Sequence, residues 1–505
     1  MGSSVSSIIV VGTGFGGLCM AIRLKQAGIH DFTLLEQADE VGGTWRDNRY
    51  PGAACDMESH FYSFSFEPNP SWTRQFAPAE EILQYLIRCT EKYGLRPHIR
   101  FRTRVVGAQF DERSGLWNVE TSGGEMLQAR VLVSACGGLS RPALPNIPGL
   151  EGFSGTTFHS ARWSHSASLE GKRVAVVGTG ASAIQIVPSI APLVSRLTLY
   201  QRTPPWVLPK RDREIQPLYR ALFRRMPFLQ RFARLAIYWR HEVSAVAFVV
   251  APWLMKRYGE PVARRYLARQ MRASGLRERV SPSYAMGCKR ILLASDYFPA
   301  LQRENVEVTS DPIRRVVPDG IVTRDGTHRL TDIIVLATGF AAAEPAAPFD
   351  LTGCDGRRLE DVWRDGAEAY LGTSISGFPN FFTIVGPNTG LGHSSMIFMI
   401  ESQVRYLLNV IRTMRSRDLK LVEVQPDVQA RYNARLQARL ENTVWAAGCN
   451  SWYRTSSGKN TTLWPGFTFE YRWRTGRFDA ADYRVIPNEP AVRASPPHGI
   501  SPSAR

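Results

Sequence analysis

Two glycine-rich segments lie 166 residues apart in this 505-residue chain, and the spacing of their glycines is typical of dinucleotide-binding turns. The first, GTGFGG at residues 12–17, follows the apolar run IIVV, and the second, GTGASA at residues 178–183, follows VAVV. In such segments a pyrophosphate lies on the N-terminus of the following helix, where free backbone amides and the helix dipole attract it. The predicted pyrophosphate contacts are Gly12, Gly14, Gly17, Gly178, Gly180, Ser182 and Ala183.

The residue at the end of the next strand distinguishes the two segments. Glu36 follows Gly14 by 22 residues, and Arg202 follows Gly180 by the same 22. A carboxylate at this position accepts hydrogen bonds from a free ribose diol, whereas an arginine suits a 2′-phosphate. We therefore predict FAD or NAD in the first half and NADP in the second, an arrangement typical of electron transfer between two cofactors.

The elements that position these residues predict an α/β fold with two Rossmann-like dinucleotide-binding domains. Prolines between 137 and 149 mark a linker after the first unit. We predict a discontinuous FAD domain at 1–142 and 376–505, with the NADP domain inserted at 150–375. Within the NADP domain, residues 208–288 are predicted to form a helical insertion.

Composition and cysteine usage favour a large cytoplasmic enzyme. The hydrophobic content of 44% is enough for two or three cores of ordinary size. Seven scattered cysteines, an odd number without metal-binding spacing, favour a reducing compartment, and no signal peptide is expected at the N-terminus. The longest apolar stretch, 243–255, is too short to span a bilayer and is predicted to be a buried helix.

The positive charge is concentrated in one segment. Residues 210–290 contain 19 lysine and arginine residues against five acidic ones, which is +14 of the net +17. Arginines alternate there with large apolar residues, a pattern typical of an amphipathic helix with a basic face. A solvated insertion is the favoured interpretation, docking on an anionic membrane is a second, and nucleic-acid binding is disfavoured because no recognition motif accompanies the charge.

Three further motifs carry a family resemblance. They are GGTW at 42–45, RYPGAACD at 49–56 and FSGTTFHSARW at 153–163. The last resembles the fingerprint of the class B flavin monooxygenases in the form used by Baeyer–Villiger monooxygenases. The resemblance extends from Ile8 to about Arg474, and the motifs occur in the family's order.

The resemblance implies an activity and two cofactors. Such enzymes hold FAD in the first unit and NADPH in the second, and they convert a ketone into an ester or lactone through a flavin C4a-peroxide. The alternative is a flavin N- or S-oxygenase that uses the hydroperoxide. The expected partners are a small-molecule ketone and dioxygen, and aromatic residues near the tail, such as Trp445 and Trp464, hint at a cyclic or bulky ketone.

The resemblance also implies residue roles. Arg290 matches the catalytic arginine, a cation suited to stabilising an anion, and Asp56 matches its carboxylate partner and a flavin contact. Lys289 is expected to join Arg202 and Thr203 around the 2′-phosphate of NADP. The remaining matched positions are Thr44, Trp45, Tyr62 and Val105 for FAD, and Gln185 and Trp452 for NADP.

Overall fold

The computed structural model describes residues 5–341, 348–449, 451, 453–455 and 457–488. Its strands are β1 (Val5–Val11), β2 (Phe32–Leu35), β3 (Ile99–Arg100), β4 (Val105–Asp111), β5 (Leu116–Thr121), β6 (Met126–Ser134), β7 (Thr156–His159), β8 (Arg173–Val177), β9 (Arg196–Tyr200), β10 (Val207–Leu208), β11 (Leu292–Leu293), β12 (Val306–Thr309), β13 (Ile313–Val317), β14 (Gly320–Thr323), β15 (His328–Leu330), β16 (Ile333–Leu336), β17 (Asp350–Thr352), β18 (Phe381–Thr383), β19 (Leu419–Val424) and β20 (Tyr483–Pro487). Its α-helices are α1 (Phe15–Gln26), α2 (Thr44–Asp47), α3 (Ala79–Lys92), α4 (Ala183–Ile190), α5 (Pro217–Arg225), α6 (Pro227–Val249), α7 (Glu260–Gln270), α8 (Ser274–Arg279), α9 (Tyr297–Leu301), α10 (Leu359–Val362), α11 (Met396–Ser416), α12 (Pro426–Leu440) and α13 (Thr468–Arg474).

The first glycine-rich segment leaves the centre of the larger sheet. The strand order is β17-β4-β5-β6-β1-β2-β3, with β18 also pairing with β6. β1 runs parallel to β2 and to β6, and residues 8–11 of β1 are buried. A strand covered on both faces reads as a continuous apolar run, which is why IIVV predicts this position.

The second segment leaves the centre of a five-stranded parallel sheet ordered β12-β9-β8-β16-β7. β8 lies between β9 and β16, and the helix after its glycine turn, α4, contacts α9 on the sheet. The predicted fold class, α/β with two Rossmann-like units, is confirmed.

One predicted domain boundary differs from the strand pairing. β17 pairs with β4 of the first sheet, and Leu351, Leu359 and Trp363 are buried in the core on that sheet. Residues 350–375 therefore belong to the first sheet. A domain boundary at 375 would have assigned them to the second. The stretch 372–388, which is rich in glycine and proline, contains strand β18 of the first sheet and therefore lies within the first unit.

Helices α5 to α8 lie between β10 and β11, which pair with each other and close the base of the insertion. The prediction of a buried helix at 243–255 is wrong. α6 ends at Val249, and Val243, Val250 and Trp253 are 70%, 62% and 63% exposed. Among the described residues, no helix is long and apolar enough to cross a bilayer.

Candidate active site

The first glycine turn has the geometry of a phosphate cradle. Gly12 has φ of +101°, and a Cβ there would lie 2.9 Å from the carbonyl oxygen of Ala135. Its backbone N–H donates to the carbonyl of Leu35 at 2.8 Å, which fixes the turn against β2. No side chain caps the N-terminus of α1 at Gly14, and its first turn has no acidic residue. The amides are left for an anion, so the turn fits a pyrophosphate.

The second turn repeats this geometry. Gly178 has φ of +118°, its N–H donates to Tyr200 at 3.0 Å, and a Cβ would lie 2.3 Å from the carbonyl oxygen of Ala337. A Cβ on Gly180 would meet no atom of the described residues within 4 Å. No side-chain bond from Ser182 caps α4. Open space above an uncapped helix start fits a second pyrophosphate.

The carboxylate of Glu36 is fixed at the end of β2. It accepts hydrogen bonds from the backbone and hydroxyl of Thr13 at 3.0 and 2.6 Å, and from the backbone of Ala38 at 3.0 Å. It also forms a 2.9 Å ion pair with Arg46, and both side chains are at least nine-tenths buried. A buried charge requires such a partner. Arg46 was missed by the sequence reasoning, although it directly follows the GGTW motif.

Two cations come together where the second ribose would lie. Arg202 is exposed after β9, and the pKa of Lys289 is lowered by burial and then by the charge of Arg202. Lys289 Nζ lies 4.8 Å from the centre of the Tyr284 ring. The carbonyl of Thr203 accepts a 2.8 Å hydrogen bond from Thr179 Oγ1. Neighbouring cations that repel each other fit a dianionic phosphate placed between them.

Arg290 and Asp56 form the predicted pair, from residues 234 positions apart. Arg290 Nη2 and Nε donate to one oxygen of Asp56, at 2.6 and 3.0 Å. Burial raises the pKa of Asp56, but the charge and hydrogen bonds of Arg290 and the charge of Lys210 outweigh it, so the pKa is lowered. The charge of Asp56 raises the pKa of Arg290, which stays a cation. Lys210 and Tyr453 lie near this pair and were not anticipated. Burial raises the pKa of Tyr453 to about 12, and the charge of Arg290 opposes that shift.

Gln185 joins the two units beside this pair. Its side-chain oxygen accepts from the Tyr50 hydroxyl at 2.9 Å, and its amide donates to the carbonyl of Ala54 at 2.9 Å. Both partners lie in the segment that leads to Asp56. Gln185 is predicted near the NADP phosphates; it lies in the first turn of α4, and its side chain joins that helix to the segment before Asp56.

The residues predicted to contact FAD lie in two places. Thr44 begins α2, and Trp45 Nε1 donates to the hydroxyl of Tyr62 at 3.3 Å. The Tyr62 ring packs edge-on against Phe15 at the start of α1, with centroids 5.3 Å apart. Val105 begins β4 and is buried. The predicted NADP contact Trp452 lies outside the described residues.

The scattered cysteines favoured a reducing compartment, but two of the seven are joined in the structure. Cys288 and Cys449 form a disulfide across 161 residues, a separation that spacing patterns do not reveal. The remaining five cysteines are free thiols. Cys288 directly precedes Lys289 and Arg290, so the disulfide links the segment around Cys449 to these two cations.

Thiol titration checks this disulfide. We expect the purified, air-oxidised protein, denatured without a reductant, to show five reactive thiols, and seven after reduction. Peptide mapping should recover a linked 288–449 pair. A Cys354→Ser variant, which removes a free thiol, should lower both values by one and leave the linked pair; seven thiols before reduction would contradict the assignment.

His393 is expected to make the stability of the folded protein depend on pH. The side chain is buried, neither ring nitrogen has a hydrogen-bond partner among the described residues, and burial lowers its pKa from 6.5 to about 4. Between those values the unfolded chain binds a proton that the folded chain does not. The free energy of unfolding should therefore fall by about 1.4 kcal/mol per pH unit from this residue as pH drops from 6.5 towards 4.

Urea unfolding of wild type and His393→Asn at several pH values measures this slope. The variant should lose this part of the acid sensitivity, whereas His30→Asn, at an exposed position, should keep it. Equal slopes in wild type and His393→Asn would show that His393 carries no such linkage.

The turn at 12–17 is followed by Glu36, and the turn at 178–183 is accompanied by Arg202 and Lys289. This arrangement defines a class of protein that binds two dinucleotides side by side. Residues 5–240 match the flavin-binding monooxygenase-like family. A Baeyer–Villiger monooxygenase of Pseudomonas aeruginosa is 49% identical over 95% of this chain and 91% of its own length. The chain belongs to the Baeyer–Villiger monooxygenase family.

The fold of this chain is similar to solved structures of two monooxygenases. OTEMO in complex with FAD and NADP superimposes with a TM-score of 0.88 at 27% identity, covering 96% of this chain and all of that one. The closed form of cyclohexanone monooxygenase gives 0.85 at 28% identity with the same coverage.

Proposed function

We propose that this chain is an FAD-containing, NADPH-dependent Baeyer–Villiger monooxygenase whose catalytic pair is Arg290 and Asp56. One ketone, one O2, one NADPH and one proton give one ester or lactone, one NADP⁺ and one water. One oxygen atom of O2 enters the product beside the carbonyl carbon, and the other leaves as water.

The observation that carries this proposal is the Arg290–Asp56 contact at 2.6 Å beside the link between the two units. Arg290 keeps its charge throughout turnover, so it stabilises negative charge that develops on oxygen without giving up a proton. Asp56 orients the guanidinium by binding Nε and Nη2, which leaves Nη1 directed elsewhere. The pair thus supplies a fixed cation where the two cofactor sites meet.

The cradle at 12–17 with Glu36 would hold FAD, and the cradle at 178–183 with Arg202 and Lys289 would hold NADPH. Bound FAD supplies two-electron transfer from NADPH to dioxygen. Trp45 and Tyr62 pack at the start of α1, where they would limit access of water to the flavin side of the first cradle.

A cyclic ketone is the substrate class that we propose. The tail aromatics do not support it, because Trp445 and Trp464 are 3% and 1% exposed and belong to a packed core. The support comes from likeness to cyclohexanone monooxygenase.

Turnover of cyclohexanone, compared with that of a sulfide and a tertiary amine of similar size, tests the reaction type. We expect lactone as the main product with the ketone. Oxidation of the sulfide and amine without any lactone would favour the N- or S-oxygenase alternative.

We also propose a cytoplasmic location. The redox state of Cys288 and Cys449 inside cells tests it. Reducing cytosol opposes stable disulfides. Alkylation of the protein inside intact cells should trap both cysteines as thiols if the enzyme is cytoplasmic, and an oxidised pair would argue for another compartment.

A further inference from the structure

The insertion carries an exposed apolar stripe that the proposed reaction does not use. Phe228, Phe232, Leu235, Trp239 and Val243 are 58%, 70%, 50%, 50% and 70% exposed. Their spacing of four, three, four and four residues places them on one side of α6. The neighbouring side of the same helix is packed, since Tyr238, Glu242, Ala245 and Phe248 are buried.

A second helix extends the stripe. Phe469 and Trp473 of α13 are 46% and 80% exposed, and their four-residue spacing places them on one face. The Phe469 and Trp239 rings lie 6.4 Å apart. Contiguous exposed aromatic residues of this number mark an interaction surface rather than ordinary surface variation.

On α5 and α6 the charge beside the stripe is of one sign. Residues 217–250 contain six arginines, and the single acidic residue, Glu242, is buried. The carboxylate of Glu242 is occupied by Thr468, whose backbone and hydroxyl donate to it at 3.0 and 2.6 Å. Arg224, Arg225 and Arg231 are exposed, and Arg224 Nη2 also donates to the hydroxyl of Ser71 at 3.1 Å.

A cleft lined by arginines shares helix α13 with the stripe. Its volume is about 310 Å³, and its cationic lining is Arg23, Arg405, Arg412 and Arg472. Arg472 precedes Trp473, and its charge acts on Tyr238 of α6. The acidic lining residue, Glu401, accepts a 2.6 Å hydrogen bond from the backbone of Ser65. A cleft of this size and charge suits a phosphate headgroup.

We propose that the apolar stripe and its flanking arginines dock this enzyme on an anionic phospholipid membrane surface. Aromatic residues beside arginines are the composition of helices that lie in a membrane interface. A second copy fits less well, because a two-fold interface on the stripe would place the arginines of one copy against those of the other. The contact is peripheral.

Cosedimentation of the holoenzyme with vesicles tests the proposal. Vesicles of phosphatidylcholine with about one-third phosphatidylglycerol should bind at least about tenfold more protein than pure phosphatidylcholine at roughly 0.1 M salt. The Phe232→Ser/Trp239→Ser variant should lose binding. Leu144→Ser/Leu330→Ser is the matched control, because those side chains are 71% and 50% exposed elsewhere, and it should bind like wild type.

FAD content verifies that both variants are folded. Absence of binding to anionic vesicles, or binding that the Phe232→Ser/Trp239→Ser variant retains, would overturn the proposal. A dimer that this variant dissociates, in a protein that ignores vesicles, would overturn it in favour of self-association. Neither result depends on the ketone reaction, so this proposal and the proposed function fail separately.

Discussion

Arg290→Ala is expected to lower kcat for ester formation by about 10³-fold or more, the loss typical of removing a fixed group that stabilises transition-state charge. The variant should still bind FAD and oxidise NADPH, because Arg290 belongs to neither glycine cradle. Its NADPH consumption should appear as hydrogen peroxide instead of ester. Product and peroxide, measured in the same reaction, give both quantities.

Arg290→Lys should recover only part of this activity. Lysine keeps the charge, but it cannot bind Asp56 through two nitrogens and direct a third elsewhere. Arg272→Ala removes an exposed arginine of the same insertion and should behave like wild type. Ester formation by Arg290→Ala at the wild-type rate would show that the catalytic cation has been assigned wrongly.

Lys289→Ala is expected to reduce kcat/KM for NADPH by roughly 10- to 100-fold, the effect of one hydrogen bond to a charged group. The value for NADH should hardly change, since NADH lacks the 2′-phosphate. Arg202→Ala should act in the same direction, and the double variant should bring the ratio of the two values close to one. Steady-state kinetics with both coenzymes measures this.

Lys256→Ala, at an exposed lysine of the insertion, is the control for general loss of positive charge. It should leave the coenzyme preference unchanged. Equal losses with NADH and NADPH in Lys289→Ala would mean that Lys289 supports the fold or the nicotinamide end and not the 2′-phosphate.

The parts that the sequence predicted well depend on local spacing. The turns at Gly12 and Gly178 require positive φ and the absence of Cβ, so the sequence must have glycine at these positions and the turns can be recognised from it. The contrast of Glu36 with Arg202 lies at a fixed distance along one βαβ unit. The Arg290–Asp56 contact spans 234 residues and came from the family resemblance, because no spacing rule links such positions.

The parts that it missed depend on how the chain packs and not on local spacing. Arg46 of helix α2 balances Glu36 because the folded chain brings α2 beside the end of β2, and Cys449 reaches Cys288 because segments 161 residues apart meet. The apolar stretch at 243–255 was expected inside, but α6 already buries its other face, and Val243 is left outside. Hydrophobicity alone does not say which side of a helix has a partner.

Turnover of cyclohexanone and NADPH under ¹⁸O2, with mass spectrometry of the product, tests the proposed reaction most directly. We expect a lactone that carries one ¹⁸O atom in its ring, formed in a near one-to-one ratio with the NADPH consumed. Lactone without the label, or NADPH consumed with hydrogen peroxide as the only oxygen product for every ketone supplied, would contradict the proposed reaction.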